Sequence, residues 1–213
     1  MRKVFEVEEL APGIVSYKNV MDNPSLFITD IESLVEIGQL SWAYGRVGVP
    51  KDKFDGEQET SKSIRDCFTI SLPKFDTVTA DDLTAAGTPP SYAAVSTHTF
   101  LNDALYGAIN DYRGRFNAHV WSTSEGWQIL KYGKDGHFIN HFDDAPAFPR
   151  TVSMSFYLNE DYEGGEIEFN KFGLKIKPQA NQMIVFPSNY VYTHTVHPVV
   201  SGTRYAIVGW WDK

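Results

Sequence analysis

His141-Phe142-Asp143 places an imidazole and a carboxylate two residues apart. In an extended strand, residues i and i+2 project from one face, so both side chains meet a single ion. Asp144 has the opposite parity and points away, which selects Asp143 as the carboxylate. By itself the pair is a short pattern that also arises as a surface histidine beside a turn carboxylate. A second segment, His194-Thr195-Val196-His197-Pro198-Val199-Val200-Ser201-Gly202-Thr203-Arg204, adds a third possible ligand, the imidazole of His194 or of its rival His197, and an arginine. Two imidazoles and a carboxylate on one side of a divalent metal leave positions open, the arrangement used for non-haem Fe(II) chemistry. The planar guanidinium of Arg204 suits a bound dicarboxylate, which it grips with two parallel hydrogen bonds.

Such residues need a rigid scaffold, and the back half of the chain reads as one. After about residue 119 short β-rich runs follow one another: 119–122, 127–132, 138–142, 151–158, 166–169, 174–176, 183–186, 192–197 and 205–211. Turn signals at 133–136, Gly164-Gly165 and Ser201-Gly202 separate them. Many short strands at this spacing imply a sandwich or barrel. The front half is mixed. A strand is expected near Ile14 to Tyr17. Asn23-Pro24-Ser25 starts a helix whose apolar residues are Phe27, Ile31, Leu34, Val35 and Trp42, with Gly45 as its stop. Ile64 to Leu72 alternates as a strand, and Ser96 or Thr97 caps a second helix with a stripe at Leu101, Ala104, Leu105, Ala108, Ile109 and Tyr112. Residues 46–63 and 73–95 read as long loops. The fold class is therefore α+β, mainly β. A double-stranded β-helix (jelly roll) core spans 121–213, and a helical and strand extension over 1–120 packs on it as one integrated domain.

The order H-x-D followed by H-x-V-x-P-V-x-x-G-x-R resembles the Fe(II)/2-oxoglutarate-dependent dioxygenase superfamily, in its prolyl 4-hydroxylase-like branch. Tyr132 ahead of His141, Tyr157-Leu158-Asn159 followed by Gly164-Gly165-Glu166, and Phe186-Pro187-Ser188 are similar to the text around that family's motifs. Gly136 falls one place later than the family pattern, and Asn140 stands where another residue is common. The resemblance covers roughly residues 125–213. It implies His141, Asp143 and His194 as iron ligands, with His194 preferred over His197 by the spacing of the motif. It implies Arg204 as the partner of the far carboxylate of 2-oxoglutarate, and Tyr132 and Tyr157 as supporting contacts in the cosubstrate pocket. Fe(II), 2-oxoglutarate and dioxygen follow as cofactor and cosubstrates, with ascorbate as a reductant. The implied reaction decarboxylates 2-oxoglutarate to succinate and hydroxylates a C–H bond. The implied substrate is a proline-containing protein or peptide, with a free amino acid or other small molecule as the alternative.

Composition narrows the remaining choices. With a net charge of −8 the chain lacks the basic balance of a nucleic-acid binder. Repair of alkylated bases by the same chemistry is disfavoured too, because Trp210 stands where those enzymes carry a second arginine. Cys67 is the only cysteine, which excludes an intramolecular disulfide and a thiolate-rich metal site. With no long apolar run and no leader pattern, the expectation is a soluble, cytoplasmic protein without a membrane partner. A catalytically silent jelly roll is the reading from another class, and retention of all three ligands and Arg204 argues against it. Trp210 shares strand parity with Arg204 and faces the same cavity or is an ordinary core tryptophan. Arg65-Asp66 reads as a surface ion pair before a substrate contact. Cys67 reads as a small core residue, and Lys51-Asp52-Lys53 and Asp81-Asp82 as solvated loop charges. His98, His119 and His137 read as structural or solvent-facing; along a strand His137 lies more than about 12 Å from His141.

Overall fold

The computed structural model describes residues 5–47, 61–73, 92–116, 123–146 and 149–212. Its main element is an eight-stranded antiparallel sheet. In spatial order this contains β1 (Glu6–Ala11), β2 (Ile14–Lys18), β11 (Gln182–Pro187), β7 (Arg150–Tyr157), β14 (Arg204–Asp212), β5 (Thr123–Tyr132), β4 (Phe68–Pro73) and β3 (Ala43–Tyr44). A four-stranded sheet, β10 (Leu174–Ile176), β9 (Ile167–Phe169), β12 (His194–Val196) and β6 (Phe138–His141), faces it, and β13 (Val199–Ser201) pairs with β8 (Glu163–Gly164). The two sheets form a double-stranded β-helix. Its large sheet takes strands from both halves of the chain, with residues 6–18 at one edge and 43–73 at the other.

Strand alternation decides what each face does. On β14, Ile207 and Trp211 are buried toward the helices, whereas Arg204, Val208 and Trp210 line the space between the sheets. Helices α1 (Pro24–Glu36) and α2 (Tyr92–Arg115) cover the outer face of the large sheet. Leu101, Leu105, Ala108, Ile109 and Tyr112 on α2 are buried there with Phe27 and Ile31 of α1, against Trp127, Phe156, Ile207 and Trp211. The exposed faces of α1 also hold on by polar contacts: Glu32 accepts hydrogen bonds from Lys131 at 2.7 Å and from Tyr205 at 2.7 Å.

Three boundaries differ from expectation. Helix α1 stops at Glu36, not near Gly45, because Gly38 turns the chain at φ 73° and the amides of Gln39 and Leu40 fold back onto the Leu34 carbonyl. Trp42 therefore lies beyond the helix, where its indole tilts against the Tyr205 ring. Helix α2 begins at Tyr92, so Ser96 and Thr97 are helical residues and not caps. Ile64 and Arg65 precede β4 in a turn, and Arg65 bridges to Phe138. The run 119–122, His119 with it, and most of the loops at 46–63 and 73–95, with their Lys51-Asp52-Lys53 and Asp81-Asp82 charges, lie outside the described residues. No described helix is long and apolar enough to cross a membrane.

Candidate active site

Strand β12 pairs with β6 so that His194 stands directly opposite His141. Their rings lie 4.3 Å apart between centroids. Asp143, just beyond the end of β6, turns back toward them: its carboxylate oxygens are 3.6 Å from His141 Nε2 and 4.0 Å from His194 Nε2. All three potential ligand atoms fall within 4.8 Å of one another, close enough to share one ion. His197 is elsewhere. Opposite parity on the strand carries it away from His194, and its Nε2 lies 2.6 Å from Glu168 Oε2.

Each of the three side chains is held from behind. His141 Nδ1 lies 2.8 Å from the Ile139 carbonyl and His194 Nδ1 3.1 Å from the Tyr192 carbonyl. A carbonyl accepts only, so Nδ1 carries the proton in both rings and Nε2 presents its lone pair toward the shared point. Asp143 accepts a 2.6 Å hydrogen bond from Ser153, and Ser188 lies 2.8 Å from Ser153 Oγ. Since the single Ser153 proton goes to the carboxylate, Ser188 donates to Ser153. The Ser188 carbonyl in turn accepts from the amides of Asp143 and Asp144, which pins the turn. Burial, with His194 alongside, pushes the His141 imidazolium down to about 3 against the opposing pull of Asp143. Burial alone would raise Asp143, but His194, His141 and Ser153 outweigh it and hold the carboxyl below its ordinary range. Neutral imidazoles and an ionised carboxylate are the protonation states a cation requires.

A cavity of about 1050 Å³ opens onto these residues and runs between the sheets. At its inner wall Arg204 is 1% exposed, its guanidinium 4.8 Å over the Tyr132 ring and 5.0 Å over the Tyr157 ring. Arg204 Nε and Nη1 and the hydroxyls of Tyr157 and Tyr162 are all buried without a hydrogen-bond partner among the described residues. Leaving a buried guanidinium unpaired costs several kcal/mol, so this cluster of donors fits an acidic ligand. Burial pushes the Tyr162 hydroxyl up to about 12 although Arg204 opposes the shift, so it stays a donor at neutral pH. Gly165 leaves the room: with φ 65°, a Cβ there would stand 3.0 Å from Arg204 Cδ and 3.0 Å from Tyr162 Cε2. At the mouth, Trp210 lies 3.8 Å beneath the Arg150 guanidinium, and Arg150 also pairs with Glu125 at 2.7 Å. Trp210 thus faces the cavity.

Some of these residues were not singled out in the sequence. Ser153 had a readable signal, since Ser153 and Ser155 alternate through an otherwise apolar strand. Tyr162 and Gln128 had none. Arg65 differs from expectation: it is not a surface ion pair but buried on the cavity wall, with no carboxylate partner among the described residues. Cys67 is a buried core residue, as read, and accepts a 3.2 Å contact from Arg65 Nε. His98 is buried on α2 beside Asn102, and His137 contacts the Asp135 carbonyl at 2.8 Å; both lie apart from the site.

Two facing sheets form a jelly roll, and between them lies a His-Asp-His cluster that could hold one metal ion. Known proteins agree. The profile of the 2OG-Fe(II) oxygenase superfamily matches residues 127–212, the part of the chain that carries the site. A PKHD-type hydroxylase from Colwellia psychrerythraea is 36% identical over 119 residues, covering 52% of this chain and 52% of its own. Prolyl 3-hydroxylase 2 of Homo sapiens is 37% identical over 73 residues, 32% of this chain and 10% of its own. The chain spans about half or less of the length of these curated relatives. In fold it is similar to a Trichoplax adhaerens prolyl hydroxylase solved with a hypoxia-inducible-factor peptide fragment, at TM-score 0.68 and 16% identity over 94% of this chain and 83% of that one. It is also similar to a Pseudomonas putida prolyl-4-hydroxylase, at TM-score 0.56 and 17% identity over 94% and 93%.

Proposed function

We propose that the chain is an Fe(II)- and 2-oxoglutarate-dependent dioxygenase that hydroxylates a C–H bond, most simply at proline in a protein or peptide. His141, Asp143 and His194 hold the iron, and Arg204 with Tyr157 and Tyr132 receives the far carboxylate of 2-oxoglutarate. The observation that carries this reading is the pairing, in one cavity, of three convergent metal-ligating atoms with a buried arginine whose Nε and Nη1 have no hydrogen-bond partner among the described residues. The prolyl hydroxylases among its relatives and structural neighbours support the substrate class.

When bound, Fe(II) and 2-oxoglutarate supply dioxygen-driven hydroxylation coupled to decarboxylation to succinate and carbon dioxide. The chain's own residues prepare the place for that chemistry. The Ile139 and Tyr192 carbonyls fix the tautomer of both imidazoles, and Ser153 orients the carboxylate. Ile167, Phe186 and Val196 wall the inner cavity with apolar surface and exclude water from it. Trp210 and Arg150 border the side on which a substrate enters.

Anaerobic titration with Fe(II) and then 2-oxoglutarate tests the reading. A weak visible charge-transfer band is expected, and Arg204→Ala should weaken cosubstrate binding far more than iron binding. Iron binding without any band would instead leave a metal-binding jelly roll outside this chemistry.

A further inference from the structure

Arg65 carries a second observation that the cosubstrate does not use. Its side chain lies on the cavity wall and is 8% exposed, yet every partner it has among the described residues is neutral. Nε contacts Cys67 Sγ at 3.2 Å, Nη1 donates to the Arg46 carbonyl at 3.0 Å, and Nη2 reaches Gln128 Oε1 only at 3.5 Å. The neutral Tyr132 hydroxyl also acts on the guanidinium, so among the described residues its five N–H donors meet no carboxylate. The guanidinium sits 5.2 Å over the Phe138 ring, and Phe138 stacks on His141 with centroids 3.5 Å apart. A single aromatic ring therefore separates this cation from a ligand of the proposed metal.

The surroundings add to its charge. The exposed Arg46 also lines the cavity, and among the described residues the two acids lining it are Asp143, assigned to the proposed metal, and Asp144. The chain is acidic overall, so this basic wall is local. Gln128 offers its acceptor to Arg65 and keeps its amide NH2 as a further donor on the same wall. Arg65 and Arg204 are not one site: Tyr132 stands between them, with both charges acting on its hydroxyl. A buried cation without a counterion is costly unless a ligand supplies one.

We propose that Arg65, with Gln128, is a carboxylate subsite for the substrate, so that the molecule oxidised here carries an acidic group close to the reacting carbon. This rests on the dioxygenase reading and sharpens it. The carboxylate comes either from a free amino acid or from an acidic side chain next to the target residue of a peptide. Two probe pairs separate these sources: L-proline against L-prolinamide, and acetyl-prolyl-aspartyl amide against acetyl-prolyl-asparaginyl amide.

Each probe is titrated by anaerobic calorimetry into the protein loaded with Fe(II) and 2-oxoglutarate, for the wild type, Arg65→Gln and Arg65→Lys. In the wild type the acid of one pair binds about tenfold or more tighter than its amide, the scale of a charge-assisted hydrogen bond. Arg65→Gln removes that preference, and Arg65→Lys, which keeps the charge and protects against a folding artefact, retains part of it. Cosubstrate affinity changes less than about twofold in both. The proposal is overturned if neither acid outbinds its amide in the wild type, if the preference survives in Arg65→Gln, or if 2-oxoglutarate affinity falls in step. Failure of the dioxygenase reading has a different signature, absence of the charge-transfer band in the wild type.

Discussion

The two ends of the cavity are built on opposite principles. At the metal end every protein group is already satisfied: both Nδ1 atoms meet carbonyls, Asp143 meets Ser153, and Ser153 meets Ser188. At the inner end Arg204, Tyr157 and Tyr162 bring four buried polar atoms together and satisfy none of them. A metal site must hold its ligands in place before the ion arrives, because the ion supplies no directional support of its own. A carboxylate brings its own acceptors, so the protein can leave donors open for it. The first end is thus preorganised by the fold, whereas the second is completed by its ligand.

The largest effect belongs to the ligand carboxylate. Asp143→Ala should reduce metal-dependent turnover to background while the melting temperature moves by only a few degrees, because Ser188 still partners Ser153. Activity at the wild-type level would remove Asp143 from the site. Next, Arg204→Met should weaken 2-oxoglutarate about 100-fold, as expected for losing charge-assisted hydrogen bonds, and leave iron affinity unchanged. Because it deletes an unpaired buried charge, the ligand-free variant should melt at the wild-type temperature or above it. A clear loss of stability in that ligand-free variant would show that Arg204 is structurally satisfied, and the contrast between the two ends would fail.

Ser153→Ala probes the metal end more gently. Loss of a hydrogen bond that orients a ligand costs about 10-fold in metal affinity, which equilibrium dialysis would measure. Cosubstrate affinity for the metal-loaded variant should stay within about twofold of wild type. Smallest of the four is Gly165→Ala, which introduces a Cβ 3.0 Å from Arg204 Cδ in a left-handed backbone. Strain of about 1–3 kcal/mol is expected by thermal unfolding, with a several-fold loss of 2-oxoglutarate affinity and no change in metal binding. Equal losses in both would mean that the two ends are mechanically coupled.

Legibility in the sequence followed the range of the interactions concerned. Strand parity is local, so the shared face of Arg204 and Trp210 was readable from spacing, whereas Asp143 reaches the cluster from a turn beyond β6, and Asp144, read as pointing away, lines the same cavity. The β14 alternation then put Arg204 and Trp210 on the cavity wall as read. The Leu101 to Tyr112 stripe was equally local and buries as expected. Helix ends were less readable, since the stop at Glu36 depends on Gly38 and on backbone contacts that an apolar spacing pattern does not encode.

What the sequence determined by itself, then, is a back half of many short strands and a set of candidate ligands, because strand alternation is short-range and the ligand set follows from a motif resemblance. Tertiary structure alone decided the rest. It set β2 beside β11 and β4 beside β5, pairings between segments far apart in the chain. It buried Arg65, which in sequence has an aspartate for a neighbour and looks like a surface charge. It also gathered Tyr157, Tyr162 and Arg204 into one unsatisfied cluster. Burial and the presence or absence of a partner are properties of three-dimensional neighbours, and no local pattern reports them.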